Sequence, residues 1–118
     1  MHYQKLALTA VITTIAMLSI ARADVVDVKY WGPVDLVSFD CMSISRSSLV
    51  TRVCYLEKKS YLVVGLKNVY YHYCDIEAGT VRDFLAASSM GTFYNASIKD
   101  SGTRGRFSCK DKTPPTIN

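Results

Sequence analysis

The sequence is poor in the groups that do acid–base work. It holds two histidines in 118 residues, and because His2 lies in the N-terminal leader, His72 stands alone in the remainder. No G-x-S-x-G surrounds a serine, and no set of acid, base and nucleophile is grouped along the chain, which argues against an enzyme and implies no cofactor. A structural role for His72 is favoured over a catalytic one. Close cysteine pairs are missing as well: separations of 13, 20 and 35 residues between Cys41, Cys54, Cys74 and Cys109 leave no C-x-x-C, which disfavours structural zinc. Lysine and arginine are scattered rather than run together, so there is no basic stripe of the kind that tracks nucleic acid. Long apolar runs are also lacking. The longest, Leu6 to Ile20, falls short of the roughly 20 residues a membrane-spanning helix needs.

That run has the layout of a secretory signal peptide. Lys5 precedes it and Ala21-Arg22-Ala23 follows, with small residues at the two positions that an A-x-A cleavage site requires. Cleavage after Ala23 is expected, giving an exported protein, periplasmic or secreted, with no membrane attachment. Removing Lys5 and Arg22 from 14 basic residues leaves 12 against 10 acidic ones, a formal charge of +2. In an oxidising compartment, an even number of cysteines in a small domain reads as two disulfides.

Three further segments, residues 24–46, 47–100 and 101–118, are expected in the mature chain. Residues 24–46 form an N-terminal extension without sustained period, broken at Gly32-Pro33 and packed through Val25, Tyr30, Trp31, Leu36 and Phe39, with Trp31 covering an edge of the core rather than serving as a ligand platform. Three strand-like runs follow, Leu49 to Leu56, Tyr61 to Leu66 and Val69 to Ile76, joined by short polar links, the second of which would place Asn68 at positive φ. Alternation along VYYHYCDI puts Tyr71 and Tyr73 on one face and Tyr70, His72 and Cys74 on the other. Thr80 and Asp83 resemble a capping box ahead of a helix through Val81, Phe84 and Leu85, and Ser88-Ser89 can cap a second helix through Phe93, Tyr94 and Ile98. Residues 101–118 read as a loop tied down by Cys109. The fold class is therefore α+β: a small two-layer domain, a three-stranded antiparallel meander followed by two helices packed on one face and stapled by disulfides. Tyr71, Tyr73, Phe84, Leu85, Phe93 and Ile98 are expected to share one core.

Ser47-Ser48, the strand ending at Tyr55, the Y-x-Y of Tyr71-His72-Tyr73, and Ala87-Ser88-Ser89-Met90-Gly91-Thr92-Phe93-Tyr94-Asn95 followed by Ile98-Lys99 together resemble the KTSC domain. That family is named after the C-terminal domain of some lysyl-tRNA synthetases and also occurs as small stand-alone bacterial proteins. The resemblance spans residues 47–100 and implies no established activity, although RNA binding has been suggested for the family. It leaves Cys41 and Cys109 in extensions, so each disulfide is expected to join an extension cysteine to Cys54 or Cys74.

Tyr71, Tyr73, Asn95 and Lys99 are the candidate ligand residues. An exposed Tyr71–Tyr73 pair could stack bases of single-stranded nucleic acid, each stack worth roughly 1 to 3 kcal/mol, but the small mature charge favours core packing for both rings. Asn95 begins a formal N-x-S sequon, with a capping or turn-bonding role preferred, and Lys99 is explained equally by a solvated helix end. The expected function is a non-enzymatic interaction or accessory module with a protein partner in the cell envelope. The alternative is a single-stranded RNA-binding module using an aromatic sheet face.

Overall fold

The computed structural model describes residues 23–115, so the leader through Arg22 lies outside the described residues. Six strands, β1 (Val25–Val28), β2 (Gly32–Asp35), β3 (Asp40–Ser43), β4 (Val50–Leu56), β5 (Tyr61–Leu66) and β6 (Val69–Tyr73), precede three helices, α1 (Ala78–Ala86), α2 (Met90–Ser97) and α3 (Asp100–Thr103). The strands form one sheet in the order β2-β1-β6-β5-β4-β3. All neighbours are antiparallel except β1 and β6, which run parallel and register only at Val28 and Tyr70.

This sheet is twice the size expected from the sequence. The segment read as an irregular extension supplies β1, β2 and β3, whose four-residue strands are too short to show a period against their polar surroundings. Alternation is present within them, with Val26 and Val28 turned inward and Val25 and Asp27 outward. The packing expected from Val25, Tyr30 and Trp31 is therefore corrected: all three are exposed and Val28 and Val34 are buried in their place, while Leu36 is buried as expected. Pro33 sits on the outermost strand, where the missing N–H costs no ladder bond. Asp24, just before β1, pairs with Arg52 of β4 although β6 and β5 lie between these strands in the sheet. The sheet is thus curled until its ends approach.

Each face of the curled sheet has its own core. The helical face gathers Val53, Leu62, Val64 and Tyr73 against Val81, Phe84, Met90, Tyr94 and Ile98, with Tyr71, Leu85 and Phe93 packed at the margin. All six residues expected to share a core do so. The inner face of the curl holds Val28, Val34, Leu36, Cys54, Leu56, Tyr61, Val63 and Cys74, with Tyr70 alongside. Period-two alternation on β6 separates the two sets as expected. Gly65 admits the Tyr70 ring across the sheet, since a Cβ there would stand 3.1 Å from Tyr70 Cε1.

Local signals place the helices. Ser89 caps α2, accepting from the Thr92 N–H. In α1 the expected cap is displaced: the helix starts after Glu77, and Thr80, already inside it, donates its hydroxyl to Glu77. The end of α1 is closed from outside, where the Arg46 guanidinium donates to the carbonyls of Leu85 (2.8 Å) and Ala87 (2.7 Å), two of the acceptors a helix end leaves unpaired. In the β5–β6 turn the positive φ falls on Lys67, not Asn68. The tail is not all loop. It includes α3, and Phe107 enters the helical-face core at 3 % exposure. A lone aromatic among Arg, Gly and Ser carries no periodic signal, which is why it escapes a reading by pattern.

Two disulfides, Cys41–Cys54 and Cys74–Cys109, join each outlying cysteine to a central one. They consume all four thiols, so no zinc–thiolate site exists. Among the described residues no helix is long and apolar enough to cross a membrane.

Candidate functional site

β6 is covered along its outer edge in two places. At Tyr70, the carbonyl accepts from the Lys29 N–H at 2.9 Å, after which β1 turns away. At Cys74, the N–H donates to the Phe107 carbonyl at 2.8 Å, and the tail takes over. Between these two contacts, along Tyr71, His72 and Tyr73, the edge opens into a cleft of about 630 Å³, within the range of small-ligand sites. The β1–β2 turn supplies one wall with Lys29, Tyr30 and Trp31. Tyr94, Lys99, Asp100 and Ser101 form the opposite wall, and the tail from Ser108 to Lys112 closes the end.

The aromatic wall faces solvent to an unusual degree. Tyr30 is 92 % exposed and Trp31 45 %. Tyr30 also has φ 65°, a left-handed conformation that a bulky residue adopts only at a cost. Lys29 Nζ lies 5.2 Å from the Tyr30 ring centroid and 5.8 Å from that of Tyr71, and these two phenols hold its ammonium above the usual lysine range. The Trp31 ring lies 5.6 Å from that of His72, which corrects the expectation that Trp31 covers the core.

His72 sits half-buried on the floor. Its Nδ1 shares a 2.8 Å hydrogen bond with the Tyr61 hydroxyl. Among the described residues the buried Tyr61 hydroxyl has no other hydrogen-bond partner, so the arrangement that leaves no buried proton unpaired has Tyr61 donating to Nδ1, with the imidazole proton on Nε2. Burial pushes the His72 pKa down and the Tyr61 pKa up, holding both groups neutral. Among the described residues no hydrogen bond joins His72 to Ser101 or Ser108, and its side-chain partner is the Tyr61 hydroxyl.

Of the residues singled out from the sequence, Tyr71, Tyr73 and Lys99 meet in this cleft. Tyr73 is only 5 % exposed, and its hydroxyl bonds that of Tyr94, with burial pushing both phenols above their ordinary pKa. A paired Tyr71–Tyr73 stacking platform is therefore not formed. Asn95 stands exposed on α2 outside the cleft, with no side-chain hydrogen bond among the described residues. Its carbonyl is the close neighbour of Gly102, where any Cβ would collide with it. Sequence reading missed Lys29, Tyr30 and the tail residues Lys110 and Asp111. The signal that could have found the first two is a cation and two aromatics set directly before a Gly-Pro turn.

The KTSC domain family matches residues 46–101. This segment is a KTSC domain. Among solved structures, a KTSC domain protein from Yersinia pestis superposes with a TM-score of 0.51 at 23% identity, over 58% of this chain and 90% of that one, and so shares the fold. Searched against curated proteins, the sequence finds no match. The matched segment contains β4 to β6, α1 and α2, whereas β1, β2, β3 and the tail after Ser101 lie beyond it. The cleft is consequently composite: the KTSC domain provides Tyr71, His72, Tyr94 and Lys99, and the flanking segments provide the exposed aromatics and the closing end. Each disulfide fastens one flanking segment to the domain.

Proposed function

We propose that the protein is an exported, non-enzymatic interaction module, in which the KTSC domain is a frame and the cleft between it and its flanking segments is the contact surface for a protein of the cell envelope. The observation that carries this reading is Tyr30, a nearly fully exposed ring held at left-handed φ beside exposed Trp31. Such a residue adds nothing to the core and raises the energy of the free protein, a cost recovered when a partner covers it. The paired cysteines support an oxidising compartment, as do the leader and its A-x-A site. The engagement of His72 Nδ1 by the Tyr61 hydroxyl supports a role without general-base chemistry.

Expression of the full chain in a bacterial host, followed by fractionation and intact mass, tests the compartment. The expected product is cleaved after Ala23, lies outside the cytoplasm and is about four hydrogens lighter than the reduced chain. A cytoplasmic product with four free thiols contradicts it. A photoreactive residue in place of Tyr30 should cross-link to an envelope protein, and adducts restricted to cytoplasmic proteins contradict the proposed partner.

A further inference from the structure

The opening along β6 is an interruption in a hydrogen-bond ladder. Backbone groups of alternate strand residues point to the same side, and the Tyr70 carbonyl and the Cys74 N–H both point outward, to Lys29 and Phe107. His72 lies between them with the same parity, so its N–H and C=O face the cleft. Among the described residues neither has a backbone partner there. An edge with one open donor and acceptor, flanked at both ends by chain already paired to it, is a template for a short extended strand. The gap from residue 70 to 74 spans about 13 Å of strand at roughly 3.3 Å per residue, enough for two or three residues of another chain. The walls suit such a guest. Side chains of an extended segment alternate, so one would lie against Tyr30 and Trp31 while its neighbours face the wall of Lys99. Lys112 is paired with Asp75 at 2.9 Å, and the remaining Lys29, Lys99 and Lys110 still outnumber Asp100 and Asp111 around the rim, which favours a segment carrying an acidic side chain.

We infer that the cleft binds a short extended peptide segment with an acidic residue, pairing its main chain with the N–H and C=O of His72. This deepens the proposed interaction role and rests on it. β1 and the tail act as the two ends of a slot that sets the length of the guest.

The test begins with selection of a random heptapeptide display library on the oxidised protein. Recovered peptides are then titrated by the emission of Trp31, the one tryptophan in the chain. Acidic peptides are expected, with affinity falling as salt rises. N-methylation of the peptide residue opposite His72 should weaken binding about tenfold, as loss of one buried hydrogen bond does, and the bound peptide should slow hydrogen exchange of the His72 amide. Tyr30→Ala should weaken binding to a similar degree, whereas Met42→Ala, on the distant edge strand β3, should leave it unchanged. Failure to recover peptides, or peptides whose N-methylated forms bind equally and leave His72 exchange unaltered, overturns the strand-pairing inference. A Tyr30 cross-link to an envelope protein obtained alongside that failure would keep the interaction role and remove this mode of binding. Saturable binding of an oligonucleotide in preference to every peptide overturns both.

Discussion

The KTSC domain and the segments that flank it solve different problems with the same residue types. Within the domain, aromatic rings disappear into packing: Phe84 is fully buried and stacks on Phe93 with centroids 5.7 Å apart, and Tyr73 and Tyr94 share a buried hydroxyl contact. In the β1–β2 turn the rings of Tyr30 and Trp31 stand in solvent. The domain carries the folding and the turn carries the display. The flanking segments are still not loosely hung, because Val28, Leu36 and Phe107 enter the two cores and a disulfide holds each segment.

The largest separation between the two regions should appear on truncating one ring from each. Tyr73→Ala is expected to cost about 3 to 5 kcal/mol, as removal of a buried aromatic does, a sizeable share of the roughly 5 to 15 kcal/mol a small domain has. Thermal or denaturant melts measure it. A Tyr73→Ala protein with the wild-type midpoint would place the ring on the surface and erase the contrast.

Next come the two clips. In the chain-entropy account, replacing Cys74 and Cys109 together by serine releases a separation of 35 residues and costs about 4 kcal/mol, while releasing the 13-residue separation of Cys41 and Cys54 costs about 3. Equal, near-zero losses in urea titrations would mean that the flanking segments are held by packing alone.

A smaller and pH-dependent effect belongs to the cores. Tyr61, Tyr73 and Tyr94 all have pKa values raised above 10.0, mainly by burial. The unfolded chain loses these protons near pH 10 while the folded chain keeps them, so stability is complete below that pH and falls above it. The slope is at most about 1.4 kcal/mol per pH unit for each phenol. Tyr73→Phe should flatten the decline between pH 10 and 11, and an unchanged slope would show that Tyr73 ionises normally.

The smallest effect is expected at the turn. Tyr30→Gly relieves the left-handed φ at a residue with almost no buried surface, so stability should stay within about 1 kcal/mol of the wild type. Its effect is expected on binding instead.

What the sequence disclosed follows the same division. The Y-x-Y strand, the Ser89 cap and the helical spacing of Phe84 and Ile98 are periodic features, and they placed the helical-face core correctly. The flanking strands are four residues each and owe their position to partners far away in sequence, with Val28 meeting Tyr70 and Asp24 meeting Arg52. Local pattern contains nothing of such contacts. The cleft escaped for the same reason: Lys29, His72 and Lys110 meet only because β1 leaves β6 and the tail rejoins it at Cys74. Tyr71 and Lys99 were found through the family motif, and the walls that complete their site lie outside that motif.

The central claim is that a KTSC domain holds its shape by itself while the clipped flanking segments complete the cleft. Trp31 reports on the flanking segments and helical circular dichroism reports on the domain, so denaturant unfolding followed by both signals tests the claim directly. With the disulfides intact the two transitions should coincide. After reduction, the Trp31 transition should move to lower denaturant than the loss of helix. Coincident transitions in the reduced protein would contradict the account, because the flanking segments and the domain would then form one cooperative unit irrespective of the disulfides.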